Sequence, residues 1–174
     1  SPLWLDTHGE KKAFMSEKTR ITVYSRKKKY RRVDFEISLL ALEKGLELGG
    51  SEDEKGYGGF SVRIKLPEDI QFSSEQGLVQ PITNQIVSGS WMNMSGSMGK
   101  NGEHAGVVLF CHPDNPTYPE PWILRAKDSM QNAVFPGRHP VAISDTQPTI
   151  LRYTLLIYQG ELSERTIQKI KKSL

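Results

Sequence analysis

Gly106-Val107-Val108-Leu109-Phe110-Cys111-His112-Pro113-Asp114-Asn115-Pro116-Thr117-Tyr118-Pro119-Glu120-Pro121-Trp122 is the stretch from which the fold reads most directly. Its opening is an apolar run of strand length, bounded by a sharp change in composition, and reads as a buried strand. Four prolines then fall within residues 113–121. Each fixes φ and removes a backbone donor, so neither a helix nor a central strand can continue. What remains is a stiff, extended loop at a strand end, carrying His112, Asn115, Tyr118 and Trp122. Rigid loops on a β scaffold are common positions for binding groups.

Outward from this stretch, the dominant signal is alternation of apolar and polar residues, the period of a half-buried strand. Arg20-Ile21-Thr22-Val23-Tyr24 alternates, and so does Val33-Asp34-Phe35-Glu36-Ile37-Ser38-Leu39, with Val33, Phe35, Ile37 and Leu39 on one face. The two predict a hairpin with the basic run Arg26-Lys27-Lys28-Lys29-Tyr30-Arg31-Arg32 at its tip. Phe60-Ser61-Val62-Arg63-Ile64-Lys65-Leu66 is the cleanest alternation, directing Ser61, Arg63 and Lys65 away from the core, and Pro67 ends it. Residues 67–88 read as a long excursion with one or two short strands. Ser90-Trp91-Met92-Asn93-Met94-Ser95-Gly96 places Trp91, Asn93 and Ser95 on one face.

Beyond the prolines, Trp122-Ile123-Leu124 and Val141-Ala142-Ile143 read as short strands. Between them lies an expected loop ending in Phe135-Pro136-Gly137-Arg138-His139-Pro140. Thr149 to Tyr158 is a long strand, the segment richest in β-branched and aromatic residues, and Gly160 stops it. Ser163 then reads as the N-cap of a short helix with Ile167, Ile170 and Leu174 on one face and lysines near its negative end. Residues 1–19 read as a leading arm or short strand. Seven or more strands at hairpin spacing without strand–helix alternation predict an all-β, antiparallel β-sandwich of jelly-roll or supersandwich type. The expectation is one domain over residues 1–174, closed by a C-terminal helix over 163–174, and 174 residues suffice for its core.

Several function classes are disfavoured by composition. No apolar run approaches the roughly 20 residues of a membrane helix, so membrane insertion is not expected. A soluble chain follows, and nothing separates a periplasmic or secreted location from a cytoplasmic one. The net charge of +3 is local: the run 26–32 holds six positive charges, leaving a net −3 elsewhere. It lacks the spread of basic and aromatic groups that a nucleic-acid surface needs, so no nucleic-acid partner is expected, and a solvated hairpin tip is the plainer reading. The glycine-rich loop 49–59 is acidic and leads into a strand, unlike a phosphate loop. A single cysteine rules out an internal disulfide and a cysteine-based zinc site. Cys111 reads as a small buried residue; a thiolate beside His112 is opposed because strand neighbours point to opposite faces.

No G-x-S-x-G or H-E-x-x-H pattern occurs. His8, His104, His112 and His139 are isolated, and His104, His112 and His139 lack metal-ligand spacing, so neither metal nor cofactor is predicted. Glycoside hydrolysis would need two carboxylates about 5–10 Å apart. Glu52, Asp53, Glu54, Asp114 and Glu120 are candidates with no pairing signal, and no reaction is assigned. The candidate site instead joins Arg63, Trp91, Asn93, Asn115, Tyr118 and Trp122 as ligand-binding residues, with His112 as an acid/base candidate. An aromatic ring can stack on the apolar face of a pyranose while fixed polar groups bond its hydroxyls. The same residues admit a structural reading, with Trp91 and Trp122 in the core and His112 holding its loop.

Gly-Tyr-Gly-Gly-Phe-Ser-Val-Arg (56–63), Ser-Trp-Met-Asn-Met-Ser-Gly (90–96), the His-Pro-Asp-Asn-Pro block (112–116) with Pro121-Trp122, and Leu-Arg-Tyr (151–153) occur in this order. Together they resemble the bacterial PmoA-like (methane oxygenase PmoA-labelled) domains, over about residues 20–165. Members usually carry Asp before the His-Pro, where this chain has Cys111, and often His after the Asn-Pro, where it has Tyr118. Longer members add an N-terminal half with a His-rich motif, so a site shared between halves would be incomplete here. The resemblance implies a soluble bacterial β-sandwich of the kind that accompanies sugar-processing proteins.

The functional expectation is therefore a carbohydrate-handling domain that binds or processes a sugar or glycan-derived ligand. The alternative is a non-catalytic accessory or assembly domain without a small-molecule ligand. Homo-oligomerisation is compatible with either. The carbohydrate expectation requires Arg63, Trp91 and His112 to share one face.

Overall fold

A computed structural model of the chain describes residues 2–5, 8–50, 53, 55–119, 121–127 and 130–174. It is built from antiparallel strands with one short helix. β1 (Leu3–Leu5) and β2 (Lys11–Ala13) form a small hairpin. β3 (Met15–Val23) and β4 (Tyr30–Ala41) form the long predicted hairpin, and β5 (Glu47–Leu48) follows. Next come β6 (Gly59–Val62), β7 (Gln71–Ser74), β8 (Gly77–Val79) and β9 (Trp91–Gly96). β10 (Ala105–Cys111), β11 (Trp122–Ile123), β12 (Gln131–Val134), β13 (Val141–Ala142) and β14 (Thr149–Gln159) complete the strands, and α1 (Glu164–Lys171) the helix.

The main sheet has seven strands in the order β3-β4-β14-β10-β9-β7-β8, and a smaller one has the order β11-β12-β6. The two sheets face each other across one core. Met92, Met94, Leu109, Cys111 and Tyr153 from the large sheet meet Trp122, Leu124, Ala133 and Phe135 from the small sheet and its flanks. Phe60 of β6 stacks on Tyr153 with ring centroids 4.6 Å apart and tilts against Phe35 at 4.8 Å. This is the antiparallel all-β sandwich that the alternation predicts.

Alternation also assigns the other face. Trp91, Val108, Phe110, Leu156 and Tyr158 point away from the sandwich core, and they are buried because Ile167 and Ile170 of α1 lie over them. Ser163 caps this helix, its side chain accepting a hydrogen bond from the N–H of Thr166. Lys171 Nζ meets Glu75 Oε2 at 2.7 Å, tying the last helical turn to the β7–β8 turn. Tyr158 lies across Gly106 on the neighbouring strand, and a Cβ at Gly106 would collide with the ring.

Three expectations are corrected. The segment 131–134, read as loop, is the central strand of the small sheet. The strand predicted over 60–66 pairs only through Val62, so Arg63 follows its end. Residues 1–19, read as an arm or one short strand, contain β1, β2 and the first half of β3.

Candidate functional site

The face of the large sheet beyond α1 is wet, and there the strands bring together residues distant in sequence. Cross-strand register sets two rows. Arg20, Glu36 and Arg152 are direct neighbours across β3, β4 and β14, and His112 extends this row through its N–H, which donates to Arg152 O at 3.1 Å. Thr22, Asp34, Thr154 and Phe110 form the next row across β3, β4, β14 and β10. These side chains share one face because strand residues two apart project to the same side. They line a groove of about 330 Å³, with Arg32 and Leu174 at its margin.

Its ion pairs are ordered. Arg32 grips Asp34 with both arms of its fork, Nε to Oδ1 at 2.6 Å and Nη2 to Oδ2 at 2.7 Å. Thr154 Oγ1 donates to Asp34 Oδ1 at 2.7 Å and Tyr24 Oη to Oδ2 at 3.0 Å. Burial alone would raise the Asp34 carboxyl, but the bonds from Arg32, Thr154 and Tyr24 outweigh it and hold the group below the ordinary carboxylate range. The hydrogen bond to Asp34 also raises Arg32, against the opposing effect of burial. Glu36 accepts from Arg152 Nε at 3.0 Å and faces Arg20 Nη1 at 3.5 Å. Three guanidiniums therefore meet two carboxylates, and the groove has an excess of positive charge.

His112 lines the same groove with about a quarter of its side chain exposed. Its Nδ1 accepts from the backbone N–H of Asp114 at 3.2 Å, so the neutral ring carries its proton on Nε2. The Asp114 carboxylate lies 3.6 Å from the same Nδ1.

The other predicted site residues do not join it. Arg63 is exposed just past the end of β6 and does not line the groove. Trp91 is 1% exposed beneath α1, and Trp122 is fully buried in the sandwich core with its indole N–H donating to Gly89 O. Asn93 is buried, accepting from Tyr158 Oη at 2.8 Å and donating to Ser73 Oγ at 3.2 Å. Tyr118 packs against the core. Asn115 is buried, its amide engaged by the backbone of Arg152. The expectation of one shared face for Arg63, Trp91 and His112 is therefore corrected. Apolar cover explains it: each Trp lies where a second layer, the helix or the facing sheet, excludes water.

Of the carboxylates considered from sequence, Glu52, Glu54 and Glu120 lie outside the described residues. Asp53 holds the N–H groups of Lys55 and Gly56 in a turn. Among the described residues no three His, Cys, Asp or Glu side chains gather as metal ligands, and no helix is long and apolar enough to cross a membrane. Sequence reasoning missed Arg20, Arg32, Asp34, Glu36, Arg152 and Thr154. The signal was available in part: all but Arg32, which lies in the basic run, are polar residues within a strand segment whose alternate positions are apolar.

Residues 3–172 match the model of a family of unknown function (DUF6807). No curated protein matches the chain, and no solved structure does.

Proposed function

We propose that the chain, which belongs to the DUF6807 family of unknown function, binds a small, negatively charged, polyhydroxylated ligand of the sugar-acid class in the groove between Arg20, Arg152 and His112. One observation carries this reading: the groove's carboxylates are engaged by its own donors, while its guanidiniums keep N–H groups to offer. Asp34 accepts from Arg32, Thr154 and Tyr24. Among the described residues Arg152 uses only Nε, and Arg20, 78% exposed, has one long contact. A ligand carboxylate suits those planar, forked donors, and His112 adds a further N–H for hydroxyl or carboxylate. The resemblance of segments 56–63, 90–96 and 112–116 to PmoA-like domains supports the carbohydrate class by association alone.

The test is calorimetric titration of the whole chain with glucuronate and with glucose. Glucuronate is expected to bind and glucose to bind at least about tenfold more weakly, since hydrogen bonds to charged groups contribute about 1.5–3 kcal/mol. Arg20→Ala, on an exposed side chain, should weaken glucuronate by a similar factor without altering the melting temperature. Absence of glucuronate binding at millimolar concentration, or binding indifferent to both Arg20→Ala and Arg152→Gln, would overturn the reading. One observation favours the accessory-domain alternative: the buried amide of Asn115 is engaged by the backbone of its own fold rather than offered to a ligand. That alternative predicts no response to either sugar.

A further inference from the structure

The basic run at the β3–β4 tip is exposed, but its backbone is tied to neighbouring strand ends. Lys27 and Tyr30 exchange backbone hydrogen bonds at 2.8 Å in each direction, leaving Lys28 and Lys29 as a two-residue turn. Lys28 has φ 38°, in the left-handed region. Tight hairpin turns favour Gly or Asn there, because a Cβ crowds the following carbonyl and only a short polar side chain offsets that cost by bonding locally. A lysine held against that preference points to a use for its side chain.

The turn is bound down onto neighbouring strand ends. Gln159 N–H donates to Lys29 O at 3.0 Å, Arg26 Nη2 donates to Gln159 Oε1 at 3.2 Å, and Gln159 Nε2 donates to Glu103 Oε2 at 2.8 Å. His104 joins from the start of β10, its O accepting from Gly160 N–H at 2.8 Å and its Nδ1 lying 3.1 Å from Gly160 O. The result is an open cavity of about 440 Å³ walled by Arg26, Lys28, Lys29, His104 and Glu103. Three permanent cations face Glu103, which Gln159 already engages, while the exposed Glu161 carboxylate lies 3.4 Å from His104 Nδ1 at the margin. Neither Lys28 nor Lys29 forms an ion pair among the described residues.

We infer that this cavity is a second binding site, for a tetrahedral oxyanion carried as a phosphate or sulfate ester. Lysines act as point charges that suit such an anion from several directions, and Arg26 adds a fixed planar donor. The site does not depend on the groove described above. Residues 152 and 159 mark the two locations on β14, about 23 Å apart at strand rise.

The experiment is a backbone NMR titration of the whole chain with inorganic phosphate and inorganic sulfate, followed by a sugar phosphate and a sugar sulfate to distinguish the two esters. Expected are shifts confined to residues 26–30, 103–104 and 159–160, weakening with added salt. Lys28→Asn should weaken binding about tenfold or more, the loss of one charge-assisted contact. The same variant should melt at the wild-type temperature or higher, because asparagine suits the left-handed turn. Two results would overturn the inference: no shifts at these residues at millimolar anion, or wild-type binding by Lys28→Asn. Shifts centred on residues 20, 36 and 152 would also reject this cavity, while leaving the groove's own reading intact.

Discussion

Asn115 shows how one side chain can position a charged residue it never touches through its charge. Its Oδ1 accepts from the N–H of Arg152 at 2.7 Å and its Nδ2 donates to the same residue's carbonyl at 3.0 Å. The proline loop thus completes the edge of β14 where β10 runs out, and it fixes the backbone from which the Arg152 guanidinium enters the groove. Asn115→Ala should lower stability by about 1–3 kcal/mol, because the half-buried Arg152 N–H loses its partner while the Arg152 carbonyl keeps only the His112 N–H. Asn115→Asp, which keeps the acceptor but not the donor, should fall between; urea unfolding would measure both. The sequence marks this residue as special, by its place among four prolines, without revealing that its partner is backbone. Residue type could not decide the matter for Trp91 and Trp122 either. Stacking platform and core residue have the same composition, and only the covering layer separates them.

At the scale of the element, α1 is the clearest case of pattern leading to structure. Ser163 caps it, and Ile167 and Ile170 recur on the face that closes over Trp91, Phe110 and Leu156. Ile167→Ala should cost about 2–5 kcal/mol, as for other buried aliphatic truncations. Lys169→Ala on the exposed face should stay within about 0.5 kcal/mol, and thermal unfolding of the two variants side by side would check the contrast. β12 was illegible for the opposite reason. Gln131 and Asn132 are buried polar residues whose amides bond backbone, Gln131 to both ends of Arg125 and Asn132 to Gly58 O. Hydrogen bonding compensates the burial of Gln131 and of Asn132 Nδ2, although Asn132 Oδ1 is buried without a partner among the described residues. Polar residues of this kind leave no hydrophobic period to read. The first half of β3 was hidden similarly, since an edge strand carrying Glu17, Lys18 and Thr19 gives little apolar signal.

For the whole molecule, the sandwich was legible because alternation within each strand reports which face is buried. The groove was not, because it depends on register between strands, and register is set by pairing that no single strand encodes. Two carboxylates link that assembly to pH. Asp34 joins β4 to β14, and Glu75 joins the β7–β8 turn to α1 and to Ser90. Burial opposes ionisation of Glu75, but bonds from Lys171 and Ser90 outweigh it, so both groups are depressed. The unfolded chain therefore binds more protons than the folded one as pH falls below the ordinary carboxylate range, about 4. Their stabilisation is complete above that range and is lost as pH drops through the folded values. Combining Asp34→Asn with Glu75→Gln should lower stability at neutral pH and flatten its decline in acid; urea titrations at several pH values would show it.

β3 has a neighbour on one side only, and Arg20 projects from it toward Glu36 and Arg152. One bank of the groove is thus laced into the interior of the sheet, while the other hangs from a single ladder. Edge ladders of this kind open most readily. An occupant spanning Arg20 and Arg152 would work as a suture, so the margin that breathes most would also be the one that tightens first.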